Sequence, residues 1–572
     1  MRVKVFSLII GSFIISLLAG LGYVQIVQHE KYRLMSEENR LKLAPLMAPR
    51  GTISDRRGRP IAKDLLSFSV FVIYSRVKDE EALTEIVSSV TEKSKEEIRS
   101  RMKEAKKNPY VPINIIQGID IKKAISMEEL RGSHPGLLVE VSSEREYLYG
   151  KTASSLLGHI GDINRNELDK LRSYGYRIDD RMGRSGIEKF YDDYLRGRNG
   201  GKQIEVDHVG REVNVLSFKE PVPGKDLELT IDIGLQQFCD ELLEEKKGAI
   251  VVMDPATGEI IAMSSAPAYD PNVFIDQFRD DEVRAILTSE DYPLINRAIT
   301  GVYPPGSVFK TVIAAGALEK NIILPDQEFL CSGKFNLGKT VFHCWRTNGH
   351  GPVALTDAIK GSCNVYFFNV GLACGADIIS EYSEKMGFGK RTGIDLPGER
   401  AGTVPSPAWK KKKFKEAWYK GDTVNFSIGQ GYLLCSPIQI ACMVSVFANK
   451  GYLPKPYLVK KIEGIEINSP KMEYLGFSDR TIDKVREGME KAVNDKRGTG
   501  IKAKLEEISV AGKTGTAQTS RGKSHGWFMG FAPFENAKLS VVVFDEYGGK
   551  GGYYAAETAG KVFKRAIELG IL

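Results

Sequence analysis

The sequence predicts an α+β protein with an N-terminal transmembrane helix, an elongated α+β pedestal domain, and a C-terminal domain in which helices flank a central antiparallel five-stranded sheet. Three observations lead to this fold. An apolar stretch opens the chain, strand-like runs stand at both ends of its C-terminal half, and helical patterns fill the interval between them. Hydrophobic residues make up 42% and charged residues 27% of the 572 residues, as in folded globular proteins.

The N-terminal apolar stretch covers residues 5–27 and follows Arg2 and Lys4. Its length is enough to span a bilayer, and flanking basic residues stay on the cytoplasmic side. A cleaved signal peptide is the alternative, but its apolar region has only about 7 to 15 residues. We therefore expect residues 1–27 to be a cytoplasmic stub and a single-pass anchor in the cytoplasmic (inner) membrane, with the rest of the chain on the periplasmic, extracytoplasmic side.

Residues 28–230 are predicted to form the membrane-proximal pedestal. A strand-like run at residues 67–73 and a charged helical stretch at residues 80–107 indicate mixed α and β structure. The segment at residues 50–58, Arg-Gly-Thr-Ile-Ser-Asp-Arg-Arg-Gly, is typical of a turn. No catalytic triplet stands out in this region, so we expect it to act in spacing and docking.

A turn-forming Pro-Val-Pro-Gly segment at residues 221–224 marks the boundary to a second domain, residues 231–572. Five strand-like runs are predicted in this domain. Two lie near its start, at residues 248–253 and 260–264, and an Asp-Pro-Ala-Thr-Gly-Glu hairpin turn joins them. Three lie near its end, at residues 509–518, 526–532 and 539–545. Strands at both ends of a domain indicate one antiparallel sheet closed by its first and last segments.

The charge balance gives no reason to expect a nucleic-acid partner. The net charge is +7, from 80 basic and 73 acidic residues. The densest basic run, residues 410–415, lies between Trp409 and Trp418. It could contact an anionic lipid or glycan surface, or it could be an ordinary solvated loop, and the lack of a second basic cluster in the sequence favours the solvated loop.

Residues 303–310, Tyr-Pro-Pro-Gly-Ser-Val-Phe-Lys, end a turn and open a helical pattern. Ser307 is therefore predicted at a helix N-terminus, and a spacing of three places Lys310 one turn along on the same face. A partly desolvated lysine can lose its proton near neutral pH and activate a serine hydroxyl within hydrogen-bond reach. By itself this pair is a weak signal, because Ser-x-x-Lys recurs by chance on helices.

Two further motifs make the signal specific: Ser362-Cys-Asn364 and Lys513-Thr-Gly-Thr516, the latter on a predicted strand. In this order and separation, the three motifs resemble those of β-lactamases and penicillin-binding proteins. The chain around them is similar as well, at residues 50–58, 183–189, 296–299, 390–398 and 427–431. Nearly the whole chain resembles a class B penicillin-binding protein, most closely the elongation-type members, with division-type relatives as the alternative.

The resemblance implies a transpeptidase (penicillin-binding) domain that cross-links peptidoglycan stem peptides by acyl transfer, with D-Ala-D-Ala carboxypeptidation as a possible side activity. Ser307 would attack the D-Ala-D-Ala carbonyl, and Lys310 would be its base. Ser362 would relay a proton to the departing amine, and Asn364 would hold the substrate amide. β-Lactam antibiotics should acylate the same serine.

In the third motif, the resemblance implies that Lys513 supplies positive potential. Thr514, Gly515 and Thr516 would bind the substrate, with the two threonines on its terminal carboxylate. The backbone N–H groups of Ser307 and Thr516 would stabilise the tetrahedral oxyanion.

Four side chains between the first and second motifs suit a zinc ion: Cys331, Cys344, His350 and Cys363. Their spacing is wider than that of a zinc finger, so the residues alone are only suggestive. The resemblance supports a metal, because some elongation-type members hold a structural zinc ion at the matching positions. It also implies that catalysis itself needs no cofactor. Free thiols or a disulfide, for example between Cys331 and Cys344, remain the alternative, and His343 is a possible substitute ligand. The other four cysteines are expected in the core: Cys239, Cys374, Cys435 and Cys442.

Other functions fit the sequence less well. A β-lactamase would not need a pedestal of about 200 residues, and a class A penicillin-binding protein would carry a glycan-polymerising domain before residue 230. A non-catalytic scaffold or β-lactam-sensing receptor on the same fold is the alternative from a different class. The resemblance implies a SEDS-family glycosyltransferase and other elongation-complex membrane proteins as partners.

Overall fold

The computed structural model describes residues 2–33, 41–171, 173, 175–176, 180–206, 212–276, 279–519, 522–549 and 551–572. Helix α1, Arg2–Gly22, continues into a π-helical turn at Tyr23–Val27. Within the described chain, one helix, Val5–Val27, is long and apolar enough to cross a membrane, and none of it is buried in the protein. Its bounds are those predicted for the anchor.

The pedestal is mixed α and β, as predicted. Its strands are β1 Leu41–Leu46, β2 Ile53–Ser54, β3 Pro60–Val72, β4 Ile113–Ile119, β5 Leu137–Tyr147, β6 Ile160–Asp162, β7 Arg181–Gly183, β8 Gly200–Val206 and β9 Glu212–Lys219. Its helices are α2 Glu80–Thr91, α3 Lys95–Lys107, α4 Ile121–Leu130, α5 Ser154–Leu157, α6 Arg165–Leu171, α7 Gly186–Phe190 and α8 Asp192–Leu195.

The helical stretch expected at residues 80–107 is two helices. Ser94 begins α3 with a capping box, in which its hydroxyl accepts from the Glu97 N–H and the Glu97 carboxylate accepts from the Ser94 N–H. The second helix therefore starts at its own N-terminal signal.

A buried network of charges holds the pedestal together. Arg50 donates to Glu188 (2.8 Å) and Asp192 (2.7 Å), and Arg145 donates to the other Glu188 oxygen (2.7 Å). All four side chains are less than one-tenth exposed. The segment at residues 50–58 does contain the predicted turn, at residues 56–58, and its first residue belongs to this network.

Strand β10, Leu227–Leu229, lies at the end of the pedestal range, just before the expected boundary. The strands of the second region are β11 Gly248–Met253, β12 Ile260–Ala266, β13 Phe329–Cys331, β14 Lys334–Leu337, β15 Thr340–His343, β16 Gly351–Val353, β17 Tyr452–Pro454, β18 Val459–Ile462, β19 Ile465–Glu466, β20 Met472–Tyr474, β21 Ala511–Ala517, β22 His525–Ala532 and β23 Leu539–Asp545. The helices are α9 Ile233–Glu241, α10 Asp280–Thr288, α11 Lys310–Glu319, α12 Leu355–Lys360, α13 Asn364–Lys385, α14 Pro407–Phe414, α15 Lys420–Phe426, α16 Pro437–Ala448, α17 Asp479–Asn494 and α18 Gly551–Glu568.

The central sheet has the order β12-β11-β23-β22-β21, and every neighbouring pair is antiparallel. The first and last segments of the domain thus meet in one sheet, as the strand pattern predicts. Side chains alternate between its faces along β23: Val542 joins the core that contains α11, α13 and α16, whereas Val541 and Val543 join the core under α9 and α18. Helices therefore cover both faces.

A second sheet crosses the expected domain boundary. Strand β10 pairs in parallel with β2 of the pedestal and antiparallel with β18 of the C-terminal region. Because hydrogen-bonded strands join the two regions at this point, the pedestal is attached to the C-terminal domain by a sheet as well as by the chain.

Candidate active site

Ser307 lies in the 3-10 turn Gly306–Phe309, directly before α11, as its position in the sequence predicts. Its side chain is half-buried. Gly306 has φ +57°, and a Cβ at this position would come within 2.6 Å of the Thr516 carbonyl oxygen. Only glycine lets the turn lie this close to the strand that carries the third motif.

Lys310 is completely buried among oxygens of the second motif. Its Nζ donates to the Ser362 carbonyl (2.8 Å), to Ser362 Oγ (3.3 Å) and to Asn364 Oδ1 (2.7 Å). Within the described chain, its hydrogen bonds do not include one to Ser307, although a spacing of three suggested that contact. Burial lowers the pKa of Lys310 to about 8, so the amine can lose its proton near neutral pH.

Ser362 has a left-handed backbone with φ +52°. For a residue with a side chain this conformation costs roughly 1–2 kcal/mol. It places both the hydroxyl and the carbonyl of Ser362 on the Lys310 amine, so this unfavourable backbone geometry serves to build the pocket.

Lys513 lies on β21, at one edge of the central sheet, and is also completely buried. Its Nζ donates to the Thr514 carbonyl (2.9 Å). Burial, together with the charge of Lys310, lowers the pKa of Lys513 well below its usual value. In the part of the chain that the structure describes, neither lysine forms an ion pair, so two lysine amines share this pocket without a carboxylate partner.

The rest of the third motif lies along the same edge. Thr514 is buried and Thr516 is exposed. A Cβ on Gly515 would lie 2.9 Å from the Pro305 carbonyl oxygen and 3.0 Å from Val308 Cγ1. This glycine therefore lets the strand pack on the catalytic turn.

The four predicted metal ligands, Cys331, Cys344, His350 and Cys363, come together beside the second motif. Their ligand atoms all lie within 4.8 Å of one another. His350 Nδ1 lies 3.6 Å from the Cys331 sulfur and 3.5 Å from the Cys344 sulfur. All seven cysteines are free, so Cys331 and Cys344 form no disulfide. Three thiols and one imidazole at these distances fit a tetrahedral zinc site.

This cluster joins an inserted hairpin region to the second motif. Cys331 ends β13 and Cys344 follows β15, whereas Cys363 caps α13 by accepting from the Tyr366 N–H (3.4 Å). His343, the possible substitute ligand, is exposed and lies outside the cluster, and its carbonyl accepts from Asn364 Nδ2 (3.2 Å). The four remaining cysteines are buried, as predicted: Cys239, Cys374, Cys435 and Cys442.

Sequence reasoning missed two residues that position the catalytic turn. The Gly306 N–H donates to the Gly429 carbonyl (2.9 Å), and Trp527 Nε1 donates to the Pro304 carbonyl (3.0 Å). Gly429 stands in the segment at residues 427–431 and Trp527 in a predicted strand, but neither pattern indicates a partner more than one hundred residues away.

The site has the features that define the class of active-serine acyl-transfer proteins. These are a serine on a turn that opens a helix, a buried lysine, a Ser-x-Asn loop and a Lys-Thr-Gly motif on the edge of a sheet. Residues 248–568 match the family model of the penicillin-binding protein transpeptidase domain, and residues 45–229 match that of the penicillin-binding protein dimerisation domain. The chain belongs to the penicillin-binding protein transpeptidase family.

The chain is similar over nearly its whole length to individual relatives. It is 34% identical to the peptidoglycan D,D-transpeptidase MrdA of Haemophilus influenzae, across 96% of this chain and 88% of that protein. Penicillin-binding protein 2 of Helicobacter pylori, solved in complex with MreC, is 30% identical with a TM-score of 0.81, covering 93% of this chain and 100% of that one. A chain of a peptidoglycan synthase complex that coordinates polymerization and crosslinking is 30% identical with a TM-score of 0.78, covering 100% and 99%.

Proposed function

We propose that this protein is a peptidoglycan D,D-transpeptidase of cell-wall elongation that works through an acyl-enzyme on Ser307. The observation that carries the proposal is the pocket itself, in which Lys310 contacts both Ser362 and Asn364 next to the serine turn. The similarity to MrdA over nearly the full chain supports the elongation role over a division role.

In the proposed reaction, Ser307 Oγ forms an ester with the carbonyl of the penultimate D-Ala of a stem peptide. Neutral Lys310 takes the hydroxyl proton, and the Ser362 hydroxyl passes a proton to the nitrogen of the departing D-Ala. An amine of a neighbouring stem peptide then displaces the serine and forms the cross-link. The contact between Lys310 and Ser362 supports this relay, because a proton can move between the two groups.

The sheet edge would hold the substrate. The substrate would lie along the part of β21 beside the serine turn, which consists of Thr514, Gly515 and Thr516. Lys513 would supply positive potential for the terminal carboxylate of the stem peptide. The N–H groups of Ser307 and Thr516 would receive the oxyanion. A β-lactam places its own carbonyl and carboxylate on the same groups.

We further propose that Cys331, Cys344, His350 and Cys363 hold a structural zinc ion. Four protein ligands leave no open position for substrate, so the ion would brace the loop that carries Ser362 and Asn364 and take no part in catalysis. A second observation supports the site: His350 turns Nδ1 toward the sulfurs of Cys331 (3.6 Å) and Cys344 (3.5 Å), so the ring presents one nitrogen to the cluster.

We propose that residues 1–27 anchor the chain in the cytoplasmic membrane, that residues 28–230 form the pedestal, and that residues 231–572 form the transpeptidase domain on the periplasmic side. The two family matches fall within the last two ranges. Solved relatives bound to MreC and in a synthase complex support elongation-complex proteins as partners, and we infer that a SEDS-family glycosyltransferase is one of them.

Intact-protein mass spectrometry of the full chain in detergent, with and without benzylpenicillin, tests the nucleophile. We expect one acyl adduct on the wild type, none on Ser307→Ala, and an unchanged adduct on Ser469→Ala, which removes an exposed serine far along the chain. Cross-linking of a stem-peptide substrate then separates an enzyme from a receptor. Folded wild type that takes no label would revive the scaffold hypothesis.

A further inference from the structure

The strongest concentration of positive charge in the molecule lies on and after α14. Between residues 410 and 422, six lysines and two acids leave a net charge of +4, out of +7 for the whole chain. Lys410 is buried and pairs with Asp422 (2.7 Å). The other five lysines are exposed, and within the described chain none of them forms an ion pair: Lys411, Lys412, Lys413, Lys415 and Lys420.

Aromatic side chains accompany these lysines. Tyr419 is 63% exposed and Phe414 is 43% exposed. Trp409 and Phe414 pack against Tyr432 at 5.5 and 5.2 Å between ring centroids, which fixes α14 in place. An exposed ring among lysines offers a flat apolar face within a cationic field, which suits a ligand that has both apolar faces and negative charges.

The surface adjoins the catalytic turn. Tyr432 directly follows the segment in which Gly429 accepts from the Gly306 N–H (2.9 Å), and Cys435 exchanges backbone hydrogen bonds with Tyr303 (2.8 and 3.0 Å). On the other side, α15 packs on α13, and its Phe426 stacks on Phe309 of the serine turn at 5.6 Å. The helix that carries most of these lysines is therefore connected to the serine turn through Tyr432 and the segment that contains Gly429.

We propose that the five exposed lysines and Tyr419, here called the basic platform, bind the uncross-linked glycan strand and the carboxylates of its stem peptides next to the active site. The inference rests on the proposed function, because the occupant is the polymeric form of that substrate. Its sugar rings have apolar faces for Tyr419, and its peptides carry several carboxylates for the lysines. The connection to the serine turn favours the strand over an anionic bilayer.

The test uses the full chain with the triple variant Lys411→Gln/Lys412→Gln/Lys413→Gln. The matched control is Lys103→Gln/Lys106→Gln/Lys107→Gln, which removes three exposed lysines from pedestal helix α3. We expect the platform variant to lose about tenfold in affinity for purified uncross-linked strands at low salt, with a smaller loss at high salt. Cross-linking of strands should fall with it, whereas acylation by benzylpenicillin should stay at the wild-type rate. The Lys→Arg triple variant should restore strand binding.

Equal strand affinity in the platform variant, the control and the wild type would overturn the proposal. So would a loss seen only in nanodiscs with anionic lipids, because that result would assign the lysines to the membrane. If the wild type took up no benzylpenicillin and cross-linked nothing, the proposed function would fail instead, and strand affinity would still report on the platform separately.

Discussion

The protein buries ionisable side chains in two places, which differ in whether each side chain has a partner of opposite charge. In the pedestal, Arg50 and Arg145 meet Glu188 and Asp192, and each guanidinium has a carboxylate at 2.7–2.8 Å. In the active site, Lys310 and Lys513 are buried just as completely, but in the described chain both bond to neutral oxygens. The first cluster is neutralised internally, and the second is not.

The difference appears in the pKa directions. Burial alone would lower the pKa of Arg145, but the charge of Glu188 raises it above its usual value, so the pedestal charges are permanent. Burial lowers the pKa of Lys310 to about 8, and the neighbouring thiols of Cys363, Cys344 and Cys331 oppose this shift only in part. A paired buried charge holds two segments together, whereas an unpaired one is poised to lose its proton, which is what a general base requires.

The sharpest test of this contrast is Lys310→Met, which we expect to lower the rate of acylation by benzylpenicillin by about a thousandfold. Removing the general base costs about 10²–10⁴-fold, and methionine fills the apolar part of the space. Stopped-flow or mass-spectrometric acylation rates give the measurement. Because no acid is left unpaired, the thermal unfolding midpoint should stay within a few degrees of the wild type. Acylation within tenfold of the wild-type rate would show that another group takes the serine proton.

The same change in the pedestal should have the reverse effect. Arg145→Met leaves Glu188 buried without one of its two arginine partners, so we expect the pedestal to lose about 3 kcal/mol in free energy of unfolding. Urea unfolding followed by fluorescence measures the loss, and the molecules that stay folded should still be acylated. Arg99→Met, which breaks an exposed pair with Glu81, should leave the free energy of unfolding nearly unchanged. Equal stability of the two variants would contradict the distinction.

Acylation should also respond to pH through Lys310. In the proposed reaction the neutral amine is the active form, and the pKa of about 8 means that the neutral fraction increases as pH rises. Between about pH 7 and pH 9 we expect the rate to increase about tenfold and then level off. The residual rate of Lys310→Met should be flat over this range. If the wild-type rate fell as pH rose, the group that limits acylation would have to act in its protonated form, as an acid.

The parts of the fold that follow from local patterns could be predicted. The five strands of the central sheet could be predicted because hydrophobic alternation is a local property of the sequence. The three catalytic motifs could be located in the sequence for the same reason, since the spacing of residues within a motif is also local. The direction of the Lys310 side chain was not predictable in this way. It depends on the left-handed backbone of Ser362, fifty-two residues away in sequence and set by tertiary contacts.

The sheet that joins pedestal and C-terminal domain was missed for a similar reason. Strand β10 is only three residues long, and the turn-forming residues 221–224 suggest a linker. Its pairing with β18 connects segments more than 200 residues apart, and no local pattern indicates which short strands will meet.

The cysteine cluster, which we propose holds a zinc ion, would be a third way to hold polar groups inside the protein, with a metal in place of an ion pair. Cys344→Ser removes one ligand, so we expect bound zinc to fall from about one ion per chain to near zero. Acylation should fall by about fivefold, because Ser362 and Asn364 would lose their brace but keep their chemistry. Metal analysis of the purified full chain and acylation rates measure the two effects, and Cys374→Ser, a buried thiol outside the cluster, is the matched control. If the wild type were acylated normally while carrying no zinc, the loop would be held by packing alone, and the active site would owe its geometry to the same kind of protein contacts as the pedestal.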